Sequence, residues 1–583
     1  MTLATQYRQT IRTDELLDDV ATVAAVDRLQ GSVGLYRAAD LVAERAERGG
    51  LHVELRHYPA GTRWWDFTAP QAPSPIRATL QIIDPDPAQT VTAYPDQPCS
   101  LARGSASTPS GAVAAHLAEV DAPAGELPGA FVVSRPLPRF ALGPLVERLA
   151  AAGVVGVAVE SSPGSTGDPD AVNRLEVDDR CPLVVFSVSP AQAGRLRAAR
   201  RISVLADHGP PATMPLVYAR HRGASPVRGL LIGHLCHPAP GANDNASGVA
   251  ALLGIGRAAG RCYPDGDGPD IGFLWGPEMV GTAAYLHDLA PSYPPHFAVS
   301  LDMVATRGGH LIIEPSPDHL PSPIAAALEA AARAMSPDDR SYSGAVTLPT
   351  WPRAVTPWVG ASDHLLFADL SIAIPAGHVA RWPDPTHHTS HDTVDRISLG
   401  ELKRTSVLAA TGVTALCLGG PALNEIAGAM DELHQKRLAA VLTGSGRMDA
   451  TRYLEQVDRR ARTALYRRDS RASRCIGSTN HSAHTGGPAR RPVVRRWSGP
   501  WNLHNLYQSL NVQRRHELSA LLDSGGPGYA RLAALAMAID DHRDLAQLTH
   551  AAQLAAGLPI RPQTAAAFLT LHQQAGWATV PAG

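Results

Sequence analysis

Apolar residues recur at two different periods along this chain, and the changes of period divide it. Leu16, Leu17, Val20, Val23 and Leu29 fall near the 3.6-residue period of a helix with one buried face, and 36–48 reads as a second helix ending at Gly49-Gly50. A strand is predicted over 51–58. Residues 64–83 mix aromatics with prolines and read as irregular structure leading into another strand, and from about 90 to 208 the texture shifts to short β-rich runs, 130–133, 154–159 and 181–186, separated by Gly, Pro and Ser clusters, with one helix at 145–152. Between 225 and 420 apolar strands alternate with amphipathic helices. Strands are expected at 230–232, 271–275, 297–301, 311–313 and 372–374, and helices at 246–259, 281–289 and 323–335. A final helix opens with Ser398 and Glu401 at capping-box spacing. Such alternation predicts an α/β fold, a mainly parallel but mixed sheet covered by helices.

Beyond 420 the pattern is helical again. Residues 421–468 carry helical spacing, 469–498 is poor in apolar residues and reads as a flexible loop, and 499–583 gives a run of helices that faintly resembles a winged-helix module. The expected organisation is a main domain from 1–65 and 210–420, an inserted small β-rich domain at 66–209, a helical extension, the loop, and a C-terminal helical domain.

Composition narrows this picture without redrawing it. The 583 residues suit two to four domains, and 52 basic against 54 acidic residues give no overall reason to expect nucleic acid or an acidic membrane as partner. Arginines at 490, 491, 495 and 496 are better read as a solvated loop than as a polyanion site. Six scattered cysteines without a CxxC pair argue against a disulfide scaffold or a thiolate metal site. The first thirty residues interrupt their apolar positions with charges, and no stretch has the length of a membrane span, so a cytoplasmic protein is expected.

In doubly covered sheets, sites form outside the carboxyl ends of the strands. There the sequence puts His234 after the first strand of the alternating region, Asp244 where the next helix opens, Glu278 after the 271–275 strand, Asp302 after 297–301, and His388 in a late His-rich loop. Two imidazoles and three carboxylates are groups that zinc accepts, and one carboxylate placed to bridge suits a pair of ions. A metal-bound hydroxide acting on an amide is the chemistry this set predicts.

The motifs carrying these residues resemble the dinuclear zinc aminopeptidases that share a fold with glutamate carboxypeptidase and glutaminyl cyclase. Gly241-Ala242-Asn243-Asp244-Asn245-Ala246-Ser247-Gly248 is similar to the segment supplying the bridging aspartate. Leu301-Asp302-Met303-Val304 is similar to that of a later ligand aspartate, and His388-Thr389-Ser390-His391-Asp392-Thr393 to the terminal histidine segment. Ser362-Asp363-His364 with Phe367 resembles a further family signature, and the 66–209 region resembles the protease-associated domain often inserted in such enzymes. The resemblance implies two zinc ions, one on His234, Asp244 and Asp302, the other on Asp244, Glu278 and His388.

Two departures stand out. Where the family has an aspartate two residues after its first histidine, this chain has Cys236; where it has a Glu-Glu pair supplying base and ligand, this chain has Pro277-Glu278. Both match a less characterised branch with Cys-His-Pro, Asn-Asp-Asn and Pro-Glu in these places. The missing base has three repairs: Glu278 itself, Asp363, or a one-metal site in which His237 takes part. Cys236, His237 and His391 are expected around the ligands rather than on a metal, and Arg381 is a candidate for a substrate carboxylate. The predicted function is a metal-dependent, aminopeptidase-like hydrolase of a peptide or aminoacyl compound. The competing class is a catalytically silent peptidase fold that binds a partner through its C-terminal helices.

Overall fold

A computed structural model describes residues 2–581 except 139, 163–166, 222–227, 267, 293, 337–338, 346, 349, 442–446, 467–490 and 524–526. Its centre is an eight-stranded sheet of β1 (Leu51–Tyr58), β2 (Met214–His221), β3 (Gly229–His234), β4 (Ile271–Gly276), β5 (Phe297–Leu301), β6 (His310–Glu314), β7 (Arg353–Val355) and β8 (Ala376–Trp382), in the order β1-β2-β4-β3-β5-β8-β6-β7. The four inner strands β4, β3, β5 and β8 are mutually parallel, and antiparallel pairs flank them. Every residue of β3, β4 and β5 is buried, as strands covered on both faces require.

Successive strand residues feed two cores. Leu231, Phe273 and Val299 pack with the N-terminal helices and with helices Gly248–Cys262, Ile324–Met335 and Leu399–Leu418. Leu230, Leu274 and Ala298 pack on the other face, with helices Val280–Asp288 and His364–Ala368. Trp501, Phe568 and Leu569 of the C-terminal domain belong to the same apolar cluster. The C-terminal helices, from Leu503–Ser509 to Pro562–Gln574, therefore cover part of the sheet domain instead of standing apart from it. A second, seven-stranded sheet is formed within residues 74–209.

Two expectations fail locally. Residues 372–374 form a turn, not a strand: the Asp369 carboxylate accepts the Ser371 N–H, its carbonyl accepts those of Ile372 and Ala373, and Ala373 has φ 56°. The strand lies a few residues later, at β8. Most of the predicted 469–498 loop is outside the described residues, but its end is folded. Val493 is buried, Val494–Arg495 pairs with Ala578–Thr579, and Arg495 bonds Asp369 and lies over the Trp497 ring, so it is not free for a polyanion. No single described helix is long and apolar enough to cross a membrane.

Candidate metal centre

The segment after β3 is held in shape before any ligand is considered. Arg28 is fully buried, and its guanidinium donates to the carbonyls of Val23, Val26, Leu235, Pro240 and Gly241, gathering the loop that carries His237. Gly241 has φ 49°, and a Cβ there would come within 2.5 Å of His237 Nδ1 and of the Asp244 carbonyl, so only glycine fits. The asparagines on either side of Asp244 then sew it to the segment after β5. Asn245 donates to the Leu301 carbonyl and accepts from Met303 N–H, while Asn243 accepts from Ala305 N–H and donates to Thr306 and Asp384. Asp392 completes the tie by accepting the backbone N–H groups of Asn243 and Asp244, at 2.7 and 2.8 Å.

Three imidazoles converge on Asp244. His234 Nε2 is 3.2 Å from Asp244 Oδ1 and 3.2 Å from Asp302 Oδ1; His237 Nε2 is 3.3 Å from Asp244 Oδ2, and His388 Nε2 is 3.1 Å from that same oxygen. These atoms form two ligand sets that share Asp244: His234, Asp244, Asp302 and His237, Asp244, His388. The second differs from the implied one, because His237 stands in it and Glu278 stands in neither set. The ring tautomers fit a cation. His234 Nδ1 lies 3.2 Å from the Cys236 carbonyl and His237 Nδ1 2.7 Å from that of Pro238. A carbonyl can only accept, so in the neutral rings Nδ1 carries the proton and each Nε2 presents a lone pair to a carboxylate. Two acceptors facing each other in a buried site need a proton or a metal ion between them. His237 Nε2 has no hydrogen-bond partner.

The two sets differ in their electrostatics. Burial opposes charge on His234, yet Asp302, Glu278 and the bonds to Asp244 and Asp302 hold its pKa well above the ordinary value. At His388, burial and the neighbouring Arg174 push the pKa down to about 3. His237 is also lowered, chiefly by burial, with Arg174 and Arg28 adding to it. Glu278 is raised to about 7 by burial and by the carboxylates of Asp302 and Asp363, against the pull of His234.

The remaining predicted residues take other places. Cys236 Sγ accepts the Glu278 N–H at 3.2 Å and the Gln30 amide at 3.3 Å, and is 4.0 Å from His234 Nδ1, so it touches the glutamate backbone more closely than the histidine ring. Asp363 Oδ1 accepts from Met279 N–H and Thr282 Oγ1, capping the helix that follows Glu278. His391 faces Asp168 of the inserted region at 3.2 Å. Arg381 is buried, with its guanidinium bonded to Glu401 and to the carbonyls of Thr306 and Gly309.

One residue at the centre went unnoticed in the sequence. Arg174, from the seven-stranded region, brings Nη1 to 3.2 Å from His388 Nε2 and 3.9 Å from Asp244 Oδ2. Nothing in its neighbourhood, Asn173-Arg174-Leu175-Glu176, has the form of a motif. Only the pairing of 172–174 with 388–390 reveals it: Arg174 N–H donates to the His388 carbonyl at 2.7 Å, Ser390 N–H to the Val172 carbonyl at 2.8 Å, and Val172 N–H to Ser390 Oγ at 3.1 Å.

The ordering of strands, with the candidate ligands at their carboxyl ends, defines an α/β domain. Residues 217–413, about a third of the chain, match the model of peptidase family M28. A zinc aminopeptidase from Bacillus subtilis is 16% identical, over 69% of this chain and 94% of its own, with a TM-score of 0.51. A Clostridium acetobutylicum protein described as a peptidase is 16% identical over 79% of this chain and 95% of its own, with a TM-score of 0.52. A peptidase M28 precursor from Shewanella amazonensis is 18% identical over 71% and 94%, with a TM-score of 0.50. At these identities the shared property is the fold. No curated protein matches the chain.

Proposed function

We propose that the protein is a zinc-dependent, aminopeptidase-like hydrolase of amide bonds in peptides or aminoacyl compounds, with its metal bound through Asp244. The observation that carries this reading is the set of buried imidazoles whose Nε2 atoms face Asp244, with the Nδ1 atoms of His234 and His237 committed to carbonyls. Zinc bound there supplies a Lewis acid that brings the pKa of water to about 7 and polarises an amide carbonyl.

Glu278 is the general base in this proposal. Pro277 leaves the chain one glutamate where two are usual, and the ligand sets close without it because His237 completes the second. A buried carboxylate beside the metal suits proton transfer, taking a proton from the attacking water and delivering it to the leaving amine. The Cys236 sulfur and the Gln30 amide hold its backbone, which fixes where the carboxylate can reach. Asp363 is the weaker candidate, since Oδ1 is already bonded to Met279 and Thr282.

The test is a mass-spectrometric screen of aminoacyl and N-acyl compounds against zinc-loaded and chelated protein. Turnover that disappears with the metal and returns on its addition is the expected result. Turnover indifferent to chelation would sink the proposal.

A further inference from the structure

Resting on the metal reading above, the geometry points to Arg174 as the second cation of the centre: its guanidinium takes the His237–Asp244–His388 set, and the protein holds a single zinc ion tightly, at His234–Asp244–Asp302.

Zinc binds an imidazole nitrogen at about 2.0–2.1 Å along its lone pair. Arg174 Nη1 already uses that lone pair on His388, at 3.2 Å. Arginine has only donors, so the contact fixes Nε2 as the acceptor, and an ion in the same position would meet an N–H and a positive charge at close range. Ion and guanidinium exclude each other there. Arg174 is not a loose side chain that happened to fall into the site. Its side chain is 12% exposed, Nε and Nη2 both bond Glu176, and its backbone belongs to the pairing with 388–390.

The surroundings divide the same way. Around His234 the charges are negative: Asp244, Asp302 and, beyond them, Glu278 and Asp363. Around His237 the carboxylate in contact, among the described residues, is the shared Asp244, while Arg28 and Arg174 are both close enough to act on the ring. An ion at the first set meets a surplus of anions; at the second it meets Arg28 and Arg174, the latter paired with Glu176. A guanidinium in the second place keeps a positive charge and N–H donors beside the metal, able to bond a substrate oxygen as an ion would attract it.

Zinc stoichiometry per chain, measured on metal-stripped protein titrated with zinc, tests this with Arg174→Met and Arg174→Lys beside the wild type. Expected are one tightly bound ion in the wild type and in Arg174→Lys. In Arg174→Met a second ion should bind, its affinity raised about tenfold or more by loss of the adjacent charge. Manganese titration of the wild type followed by electron paramagnetic resonance needs no variant: a magnetically isolated ion at two equivalents agrees with the inference, and a spin-coupled pair overturns it. Two tight ions in the wild type, or one in Arg174→Met, overturn it as well and leave the metal reading standing. A wild type that binds no zinc removes that reading itself.

Discussion

At one end of the centre His234 and Asp302 leave the carboxyl ends of β3 and β5, adjacent parallel strands whose every residue is buried. At the other, His237 and His388 sit on loops, the first gathered by Arg28 from the N-terminal helices and the second paired with residues 172–174 of the inserted region. His388 has φ 57°, a backbone conformation uncommon for a residue with a side chain, so its loop depends on its neighbours for its shape. The two ends show that a ligand set can come from the sheet alone or from the meeting of remote segments. A set of the first kind has rigid positions and a surplus of negative charge. One of the second kind is exposed to whatever those segments bring with them, here an arginine.

Replacing the shared residue erases the comparison altogether. Asp244→Ala should remove the bound zinc and with it all chelator-sensitive turnover, as measured by bound zinc after dialysis; unchanged stoichiometry would contradict the assignment. Separate disruption of the ends comes next. Asp302→Ala should lose the tightly held ion, whereas His237→Ala should keep it, and calorimetric titration of the two variants reads the difference. Glu278→Gln lies between the ends and should leave zinc content unaltered while kcat falls by about 10²–10⁴-fold, the usual worth of a positioned base. Equal loss of metal would make Glu278 a ligand instead.

A smaller effect separates the centre from the domain that covers the sheet. His572, fully buried in the C-terminal helices, accepts from the Trp501 indole at 3.1 Å, and burial pushes its pKa down to about 4, against the bond to the Phe568 carbonyl. The folded state therefore resists a proton that the unfolded chain accepts near pH 6.5. Its contribution is complete above pH 6.5 and is lost as pH falls towards 4, on the order of 3 kcal/mol in all. Thermal melts across that range should show the loss, and His572→Gln should flatten it. His234, with a pKa raised by its carboxylates, has the opposite tendency, so metal-free protein should not lose stability through that residue over the same interval.

Much of this was written locally in the chain. The apolar runs of β3, β4 and β5 and the turn chemistry after them are short-range signals, and they mark the strand ends where His234, Asp244, Glu278 and Asp302 stand. The Asn-Asp-Asn triplet was visible as a motif, though its reason, two side-chain amides bonded to 301–306, lies in another segment. Choosing between His237 and Glu278 was beyond the sequence, because Pro238 and Arg28 orient that ring through carbonyl contacts that no spacing encodes. Arg381 is adjacent to the His-rich loop in sequence, and its contact with Glu401 was not visible there either. Arg174 gave no signal at all, being 214 residues from the histidine it touches.

The guanidinium of Arg28 lies at the start of the chain and the last metal-facing histidine at 388, with the loop they jointly frame between them. A nascent chain would thus have every strand of the inner sheet available before its second ligand set could close. Closure of that second set then reports on assembly: a polypeptide whose first helices fail to dock would carry all five imidazole and carboxylate groups and still lack the shaped loop that presents one of them.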